Sequence, residues 1–418
     1  MPEALRPNLP NCLEDLGIPR QLVTDLLLRY LWLNGSATLT ALHRALHLSI
    51  RVVETLFRDL RQQQLIEVKG MAGNDYSFTL SSSGHKLAEA RNQWCQYAGP
   101  CPVSIAQYRE VVASQASHPA VDRESLRQAF HDLVLPDKLL DQLGPALVGR
   151  QTLFLYGETG SGKTSIAERL VRICGDTVLV PHAIEVDGHI IAVFDPAVHH
   201  PATYQDENLD PRWVECRRPC ITVGGELSAE MLELRLDEAT RVFIAPAQMK
   251  ANNGVLVIDD FGRQMLSPRD LLNRWITALD RRVDYLTLVS GMKFQVPFEL
   301  LVVFSTNLNP SDLADEAFLR RIQAKILIEN TSDALFEEIF RRVAGEHSIP
   351  IEPDAARYLR ERCLRAGAKR LRACYPADLC RLLIAIGQYE KHPVRFDRAS
   401  IDRAVDLYFA KLPAPSGS

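Results

Sequence analysis

The sequence predicts an α/β core with a parallel sheet, preceded by a small domain of helices and a hairpin and followed by an all-helical region. Three observations lead to this architecture. After Gln151, near-continuous apolar runs such as VLVID and LLVVFST alternate with helical patterns, as strands covered on both faces by helices do. Before that point, three helical patterns precede two short strand patterns. After Asn330, only helical patterns follow.

Length and composition are those of an ordinary globular protein. The 418 residues suffice for two or three domains with a sizeable core, and 46% of them are hydrophobic. The net charge of −4 gives no global attraction to nucleic acid, so any basic surface must be local. The nine cysteines show no disulfide framework, and the first residues show no signal-peptide pattern. With no apolar run near the roughly 20 residues of a membrane span, we expect a cytoplasmic protein without membrane insertion.

The N-terminal part predicts a winged helix-turn-helix domain. Residues 1–20 are rich in proline and asparagine, which favours a flexible tail. Helical patterns in QLVTDLLLRYLWL, LTALHRALHL and SIRVVETLFRDLRQQQ are followed by the strand patterns LIEVKG and NDYSFTLS and by a closing helix. This order places the winged domain at 21–98, and its hairpin and closing helix resemble those of many bacterial regulators. Residues 99–135 are expected to form a linker.

The third helical pattern carries an arginine-containing outer stripe. Ile50, Val53, Phe57 and Leu60 are expected to face inward, whereas a second set falls on the outer face at i, i+4, i+7 and i+11. That set consists of Arg51, Thr55, Arg58 and Gln62. Between Arg20 and Arg91 there are nine basic and six acidic residues, a mild basic excess. The pattern leaves two interpretations open: double-stranded DNA binding through this helix, or a protein-docking module with a solvated charged face.

A glycine-rich loop stands between the predicted strand TLFLY and the predicted helix SIAERLVRIC. Residues 157–164, GETGSGKT, fit the pattern G-x-x-x-x-G-K-[ST], whose backbone N–H groups wrap around phosphate oxygens. Lys163 would reach the β- and γ-phosphates and Thr164 would ligate Mg²⁺, so ATP and Mg²⁺ are the expected cofactors. The expected nucleotide contacts are Gly157, Glu158, Thr159, Gly160, Ser161, Gly162, Lys163, Thr164 and Ser165.

Two adjacent carboxylates end the apolar run VLVID. Beside a phosphate loop, Asp259 is expected to hold the magnesium ion and Asp260 to orient or deprotonate the attacking water. The alternative is a pair of solvated acids at the end of a strand. The phosphate loop makes that alternative the weaker interpretation.

Together, these motifs resemble those of AAA+ ATPases over residues 130–410. The resemblance implies a nucleotide-binding domain at 136–330, a helical lid at 331–412 and a disordered tail at 413–418. It also implies that Asn307, after LVVFST, is the sensor-1 residue that positions the water. The segment DLADEAFLRRI resembles the one that carries the arginine finger, for which Arg321 is the first choice and Arg320 the second. Alternatively, both arginines cap the C-terminal end of a helix.

A finer resemblance is to the AAA+ group with a β-hairpin before sensor 1. This group includes MoxR-type ATPases, enhancer-binding activators and the magnesium chelatase subunit. The order of segments between Ala251 and Asn307 is similar, with RRVDYLTL and MKFQVP as the hairpin strands. Residues 289–291 would form the turn.

Three features depart from the family pattern. The second acid is Asp260, where most of the family has glutamate. Residues 176–249 are extra material between the phosphate loop and the acids, expected to form a surface excursion with a specialised role. The sensor-2 position falls near Ala377, which leaves Arg372 and Arg381 as candidates.

The resemblance implies an ATP-hydrolysing protein that assembles as a ring, expected to be a hexamer because the arginine finger acts in trans. Such a ring would remodel a protein client or a DNA-bound partner, targeted by the winged helix. A second hypothesis is an ATP-dependent transcriptional switch with slow hydrolysis. A third, a structural protein with a vestigial phosphate loop, is disfavoured because Lys163, Thr164, Asp259 and Asn307 are all present.

Overall fold

The computed structural model describes residues 5–73, 75–116, 121–203, 206, 209–310 and 319–409. The α-helices of this described part are α1 (Arg20–Asn34), α2 (Leu39–Leu46), α3 (Ile50–Gln62), α4 (Ser82–Asn92), α5 (Ile105–Ser114), α6 (Arg123–Ala129), α7 (Asp137–Val148), α8 (Lys163–Arg169), α9 (Ala247–Lys250), α10 (Pro268–Arg281), α11 (Asp333–Glu346), α12 (Ala355–Arg365), α13 (Cys374–Glu390) and α14 (Arg398–Tyr408).

The β-strands are β1 (Ser36–Thr38), β2 (Ile66–Ala72), β3 (Asp75–Leu80), β4 (Val103–Ser104), β5 (Leu153–Tyr156), β6 (Thr177–Pro181), β7 (Ala183–Val186), β8 (His189–Ala192), β9 (Trp213–Arg217), β10 (Cys220–Val223), β11 (Arg235–Asp237), β12 (Val242–Ile244), β13 (Val255–Ile258), β14 (Val283–Thr287), β15 (Lys293–Pro297), β16 (Leu301–Thr306) and β17 (Ala324–Leu327).

The chain divides into two compact units, each built from several segments. The first unit comprises Met1–Ser117, Cys174–Leu256 and Asp270–Leu301. The second comprises His118–Ile173, Val257–Arg269 and Val302–Ser418.

In the first unit, helices α1 to α4 surround a small antiparallel sheet of order β1-β3-β2. Polar side chains cap three of these helices: Thr38, Ser49 and Ser81 each accept a hydrogen bond from a backbone N–H in the first turn of α2, α3 and α4. The amphipathic pattern of α3 buries Val53, Phe57 and Leu60 as expected. The expectation for Ile50 is wrong. As the first residue of α3 it lies at the edge of the buried face, with 39% of its surface exposed.

The N-terminal residues differ from the flexible tail that composition predicted. A 3-10 helix spans Glu14–Leu16, and Leu13 and Leu16 are buried in the same core as α1 to α4. Farther upstream, Asn8 forms a β-bridge with Leu209. Leu13 and Leu16 are only three residues apart, but the surrounding prolines and polar residues favoured the prediction of a tail.

Residues 176–249 do not form the expected surface excursion but contain a folded β-structure. Strands β11-β12-β8-β7-β4 form one sheet, and β6 pairs with β9 in another. Because β4 and α5 come from the segment predicted as a linker, that prediction is wrong for residues 103–114. Side chains from α5, the sheets and the β14–β15 hairpin share one buried cluster, which includes Tyr108, Ile191 and Phe294.

The β14–β15 hairpin is present where the sequence predicted it. Its strands pair antiparallel from Val283↔Pro297 to Thr287↔Lys293. Leu288 donates its backbone N–H to the carbonyl of Met292 at 2.9 Å, which closes the turn around the predicted residues. Alternation places Leu286 and Val296 inside the cluster and Tyr285 outside.

The central sheet has the order β10-β13-β16-β5-β17 and confirms the predicted α/β class. Strands β16 and β17 both run parallel to β5, with Val303 and Ala324 opposite Leu153 from either side. All four residues of β13 are buried, and β5 and β16 are buried over most of their length, as apolar runs in a parallel sheet require.

Helices α11 to α14 form the C-terminal end of the second unit around their own apolar cluster. Phe336, Phe340, Leu359, Leu379 and Phe396 are among its fully buried side chains. The predicted tail at 413–418 lies outside the described residues. Of the helices that can be described, none has both the length and the apolar character needed to cross a bilayer.

Candidate nucleotide-binding site

The glycine-rich loop lies at the carboxyl end of β5 and leads directly into α8. Gly160 has φ +80°, in the left-handed region that favours glycine. A Cβ atom at this position would also lie 2.7 Å from Cys374 Sγ. Gly157 is similarly constrained, because its Cβ would lie 2.3 Å from the carbonyl oxygen of Ile328. Gly157 and Gly160 are therefore required by both backbone conformation and close packing.

Lys163 folds back over the loop that precedes it. Its Nζ donates hydrogen bonds to the carbonyl oxygens of Gly157 at 3.0 Å and Glu158 at 2.9 Å, and the residue is buried. Desolvation lowers the pKa of Lys163, while the negative charges of Asp259 and Asp260 act in the opposite direction. The ammonium group thus lies at the loop and interacts electrostatically with both carboxylates.

Thr164 and Asp259 meet at the start of α8. The Thr164 hydroxyl donates to Asp259, with its Oγ1 3.0 Å from Oδ1 and 2.9 Å from Oδ2. Gln264 fixes the turn after β13 by donating its Nε2 to the Asp259 carbonyl at 2.7 Å. A hydroxyl beside a carboxylate is a set of hard oxygen donors, and these are the ligands that Mg²⁺ takes in proteins.

Asp260 differs from Asp259 in both backbone and exposure. Its φ is +49°, a left-handed conformation that aspartate tolerates several times better than most residues. Its side chain is exposed, whereas Asp259 is half-buried. Residue 260 therefore combines a short acidic side chain with a left-handed backbone. This conformation is a local structural reason for aspartate rather than glutamate at the position.

Asn307 follows β16 and reaches the glycine-rich loop. Its Nδ2 donates to Thr159 Oγ1 at 3.2 Å. Strand β16 lies between β5 and β13, so this amide stands between the phosphate loop and the acidic pair. The sequence predicts that Thr159 lies in the loop but gives no sign of its hydrogen bond with Asn307.

A cavity of about 790 Å³ joins these residues, within the size range of small-molecule sites. The candidate residues that line it are Thr159, Gly160, Ser161, Gly162, Lys163, Thr164, Ser165, Asp259, Asp260 and Asn307. All of them belong to the second unit. Its remaining walls come mainly from α7 and the segment before it, the residues after β17, and helices α11 and α13.

The two candidate arginine fingers lie elsewhere. Arg320 is exposed and Arg321 is partly buried, and neither is among the described residues that line the cavity. The preceding residues of that predicted segment, 312–318, lie outside the described residues. The structure therefore does not bring either arginine to the phosphate loop of its own chain.

The C-terminal helices supply contacts that sequence reasoning missed. Arg370 donates to Glu158, with 2.6 Å between Nη1 and Oε1, and the Cys374 N–H donates to the Gly160 carbonyl at 3.3 Å. The basic stretch AKRLR was the available signal, but nothing in sequence indicates its partner. For sensor 2, Ala377 and Arg381 line the cavity, while the Arg372 side chain packs beside Gly160.

The four candidate DNA contacts lie on α3 in the first unit. Arg51, Arg58 and Gln62 are exposed and Thr55 is half-buried, on the face opposite Val53 and Phe57. The Thr55 hydroxyl donates to the Arg51 carbonyl at 2.9 Å.

The chain is similar to one protein-family model and to several solved structures. A sequence model described as a domain of unknown function (DUF8689) matches residues 332–407. Among solved structures, NtrX from Brucella abortus is similar at 14% identity and a TM-score of 0.41, over 75% of this chain and 63% of that chain. NtrX in complex with ATP gives 14% identity and 0.41, over 73% and 64%. The RuvB Holliday junction branch migration motor of Thermotoga maritima gives 14% and 0.37, over 70% and 72%.

No curated protein matches the chain. This chain spans 63% of the length of NtrX, which is less than two thirds.

The observed architecture is an α/β core with a C-terminal helical region. The glycine-rich loop follows β5, Asn307 follows the adjacent strand β16, and Asp259 follows β13, the strand on the far side of β16.

Proposed function

We propose that the chain binds ATP with Mg²⁺ and hydrolyses it. The observation that carries this proposal is the contact between Thr164 and Asp259, 95 residues apart in the chain, beside the buried ammonium group of Lys163. A structural loop would not need a lysine, a hydroxyl and a carboxylate at one edge of a parallel sheet. These groups suit a phosphate chain and its counter-ion.

Each residue has a distinct role in the proposed reaction. The loop N–H groups and Lys163 bind the phosphates, and Thr164 and Asp259 hold the metal. When bound, Mg²⁺ neutralises charge on the phosphate oxygens. Asp260 accepts a proton from the attacking water or orients it, and Asn307 positions the same water.

The proposal includes self-association as a ring, with a hexamer as the expected form. Neither Arg320 nor Arg321 is among the described residues that line the cavity of their own chain. An arginine finger at either position would therefore act on the nucleotide of a neighbouring copy. A guanidinium group supplied in trans stabilises the charge that develops on the γ-phosphate. Such a ring would couple hydrolysis to the remodelling of a protein client or a DNA-bound partner.

Replacing Arg321 with alanine tests the trans contribution. We expect unchanged ATP binding and a loss of turnover of about a thousandfold, the scale of an arginine finger. Turnover per chain in the wild type should rise with protein concentration. Mixing Arg321→Ala with Asp260→Asn should restore part of the activity, because the second variant supplies Arg321 to the intact site of the first.

Arg320→Ala is the matched control and should have the smaller effect. Concentration-independent turnover in the wild type, together with full activity of Arg321→Ala, would contradict the ring.

We further propose that residues 21–98 form a winged helix that targets the ring to double-stranded DNA. The support is the exposed stripe on α3 that contains Arg51 and Arg58, next to the β2–β3 hairpin. The competing proposal is a protein-docking role for the same face.

The double variant Arg51→Ala/Arg58→Ala in the full chain should weaken duplex DNA binding by about tenfold or more and flatten its salt dependence. Fluorescence anisotropy at several salt concentrations measures both. The control Lys86→Ala/Arg91→Ala removes the same charge from α4 and should retain affinity. Wild-type protein that shows no salt-dependent DNA binding would favour docking to protein.

The alternative function is an ATP-dependent transcriptional switch with slow hydrolysis. The observation that favours it is the left-handed backbone of Asp260 with its shorter carboxylate. ATP-dependent DNA occupancy with turnover too slow to drive remodelling would support this alternative.

A further inference from the structure

Glu158 is the acidic residue of the phosphate loop, and its side chain has a protein partner. The sequence predicts it as a nucleotide contact, but it is not among the described residues that line the cavity. Its carboxylate instead pairs with Arg370, with 2.6 Å between Oε1 and Nη1. Arg370 belongs to the segment between α12 and α13 and is likewise not among the described residues that line the cavity.

Asn330, three residues after β17, completes this contact. In the amide orientation that satisfies both neighbours, its Nδ2 donates to Glu158 Oε2 at 3.1 Å, and its Oδ1 accepts from Arg370 Nη1 at 2.8 Å. We call Glu158, Asn330 and Arg370 the latch. All three belong to the second unit.

The segment that carries Arg370 contacts the phosphate loop a second time. The Cys374 N–H donates to the Gly160 carbonyl at 3.3 Å. Arg372 packs at the same glycine, because a Cβ atom on Gly160 would lie 3.1 Å from Arg372 Cδ. Residues 370–374 therefore contact the loop at both Glu158 and Gly160.

These contacts join two walls of the nucleotide cavity. One wall is the phosphate loop, and another is formed by helices α11 and α13. Helix α13 begins at Cys374, directly after the segment that contacts the loop. A nucleotide enclosed between these walls is exchanged when they separate, and the latch has to break for that to happen.

The two arginines considered for sensor 2 have other contacts. Arg381 pairs with Asp378 on its own helix, with 2.6 Å between Nη2 and Oδ1. The guanidinium carbon of Arg372 lies 5.7 Å from the centroid of the Tyr375 ring. Arg370, by contrast, pairs with a carboxylate of the loop itself, so its contact needs no γ-phosphate.

We propose that the latch sets the rate of nucleotide exchange while leaving nucleotide affinity unchanged. This proposal rests on the proposed function, since it assigns a regulatory contact to the same site. Because Glu158 and Arg370 are not among the described residues that line the cavity, a bound nucleotide leaves their contact in place. Its free energy is then the same in the free and bound chain and cancels from the Kd. The latch still has to open for entry and for release, so it slows both steps by the same factor.

The test is stopped-flow kinetics of the full chain with the fluorescent ADP analogue mant-ADP. For Arg370→Ala we expect the association and dissociation rate constants both to rise about threefold to fivefold, the upper range for an exposed ion pair. The Kd should stay within about twofold of the wild-type value, because the two changes cancel. A fluorescent non-hydrolysable ATP analogue should show the same factors, because the latch acts on entry and release and not on the γ-phosphate.

Two further variants make the outcome decisive. Arg365→Ala is the matched control: it removes a similarly exposed ion pair, with Glu361 at 3.4 Å on α12, and should exchange nucleotide as the wild type does. Glu158→Ala breaks the latch from the loop side and also serves as the test variant if Arg370→Ala fails to fold. The double variant Glu158→Ala/Arg370→Ala should exchange nucleotide no faster than the faster single variant, because both changes remove one interaction.

Unchanged exchange rates in Arg370→Ala, or a raised Kd with an unchanged association rate, overturn the latch and leave the proposed function intact. A larger effect on the ATP analogue than on mant-ADP would assign Arg370 to the γ-phosphate and would overturn the latch as well. A wild-type chain that binds neither nucleotide overturns both proposals.

Discussion

Asp260→Asn should abolish ATP turnover while leaving ATP binding intact. The amide has nearly the same shape as the carboxylate but cannot accept the proton of the attacking water. Asp260 is exposed at the end of β13, and its backbone conformation suits asparagine equally well, so the fold should not change. We expect turnover to fall by about a hundredfold or more, the typical contribution of a positioned general base. Steady-state phosphate release and equilibrium ATP binding measure the two effects.

Two controls sharpen this prediction. Asp137→Asn neutralises an exposed carboxylate of the second unit and should leave turnover unchanged. Asp260→Glu introduces a longer acid, but the left-handed backbone of residue 260 is less favourable for glutamate. We therefore expect no gain in turnover from it. If Asp260→Asn turns over ATP at the wild-type rate, another residue handles the water and the assignment is wrong.

Lys163→Ala should remove both nucleotide affinity and turnover. The ammonium group lies within hydrogen-bonding distance of two loop carbonyls and provides the positive charge nearest the expected phosphates. Its loss also removes a positive charge that interacts with Asp259 and Asp260. We expect ATP to bind at least about tenfold more weakly and turnover to fall by about a hundredfold or more.

Lys138→Ala is the matched control for this variant. Lys138 also lines the cavity, but its Nζ pairs with Glu329 at 2.7 Å and the side chain is largely exposed. An exposed pair of this kind contributes little, so affinity should change by no more than about threefold. Equal effects of the two lysine changes would show that the loop lysine has no special role.

The sequence was sufficient to predict the α/β class and three strands of the central sheet. Apolar runs marked β5, β13 and β16, and their parallel arrangement brings the groups at their carboxyl ends together. Asp259 and Asn307 directly follow β13 and β16, and the loop that leads to Lys163 and Thr164 follows β5. Local pattern and sheet geometry together determine this part of the molecule.

The parts that sequence did not predict depend on contacts between distant segments. Leu13 and Leu16 are core residues only because the helical domain covers them. The β4 pairing with β7 joins residues 81 positions apart, and no local pattern encodes it. Likewise, the sequence does not distinguish Arg342 from its neighbour Arg341, although Arg342 donates a hydrogen bond to the distant Leu133 carbonyl. Burial and partner choice at these positions are tertiary properties.

The most direct test of the central claim is a titration of the full chain with a fluorescent ATP analogue, with and without Mg²⁺. Phosphate release from ATP is then measured under the same conditions. We predict one nucleotide per chain, tighter binding with Mg²⁺ than without it, and Mg²⁺-dependent release of phosphate. Lys163→Ala should lose the binding, and Asp260→Asn should lose only the release. Binding that is absent, or equally strong in Lys163→Ala, would contradict the assignment of this site.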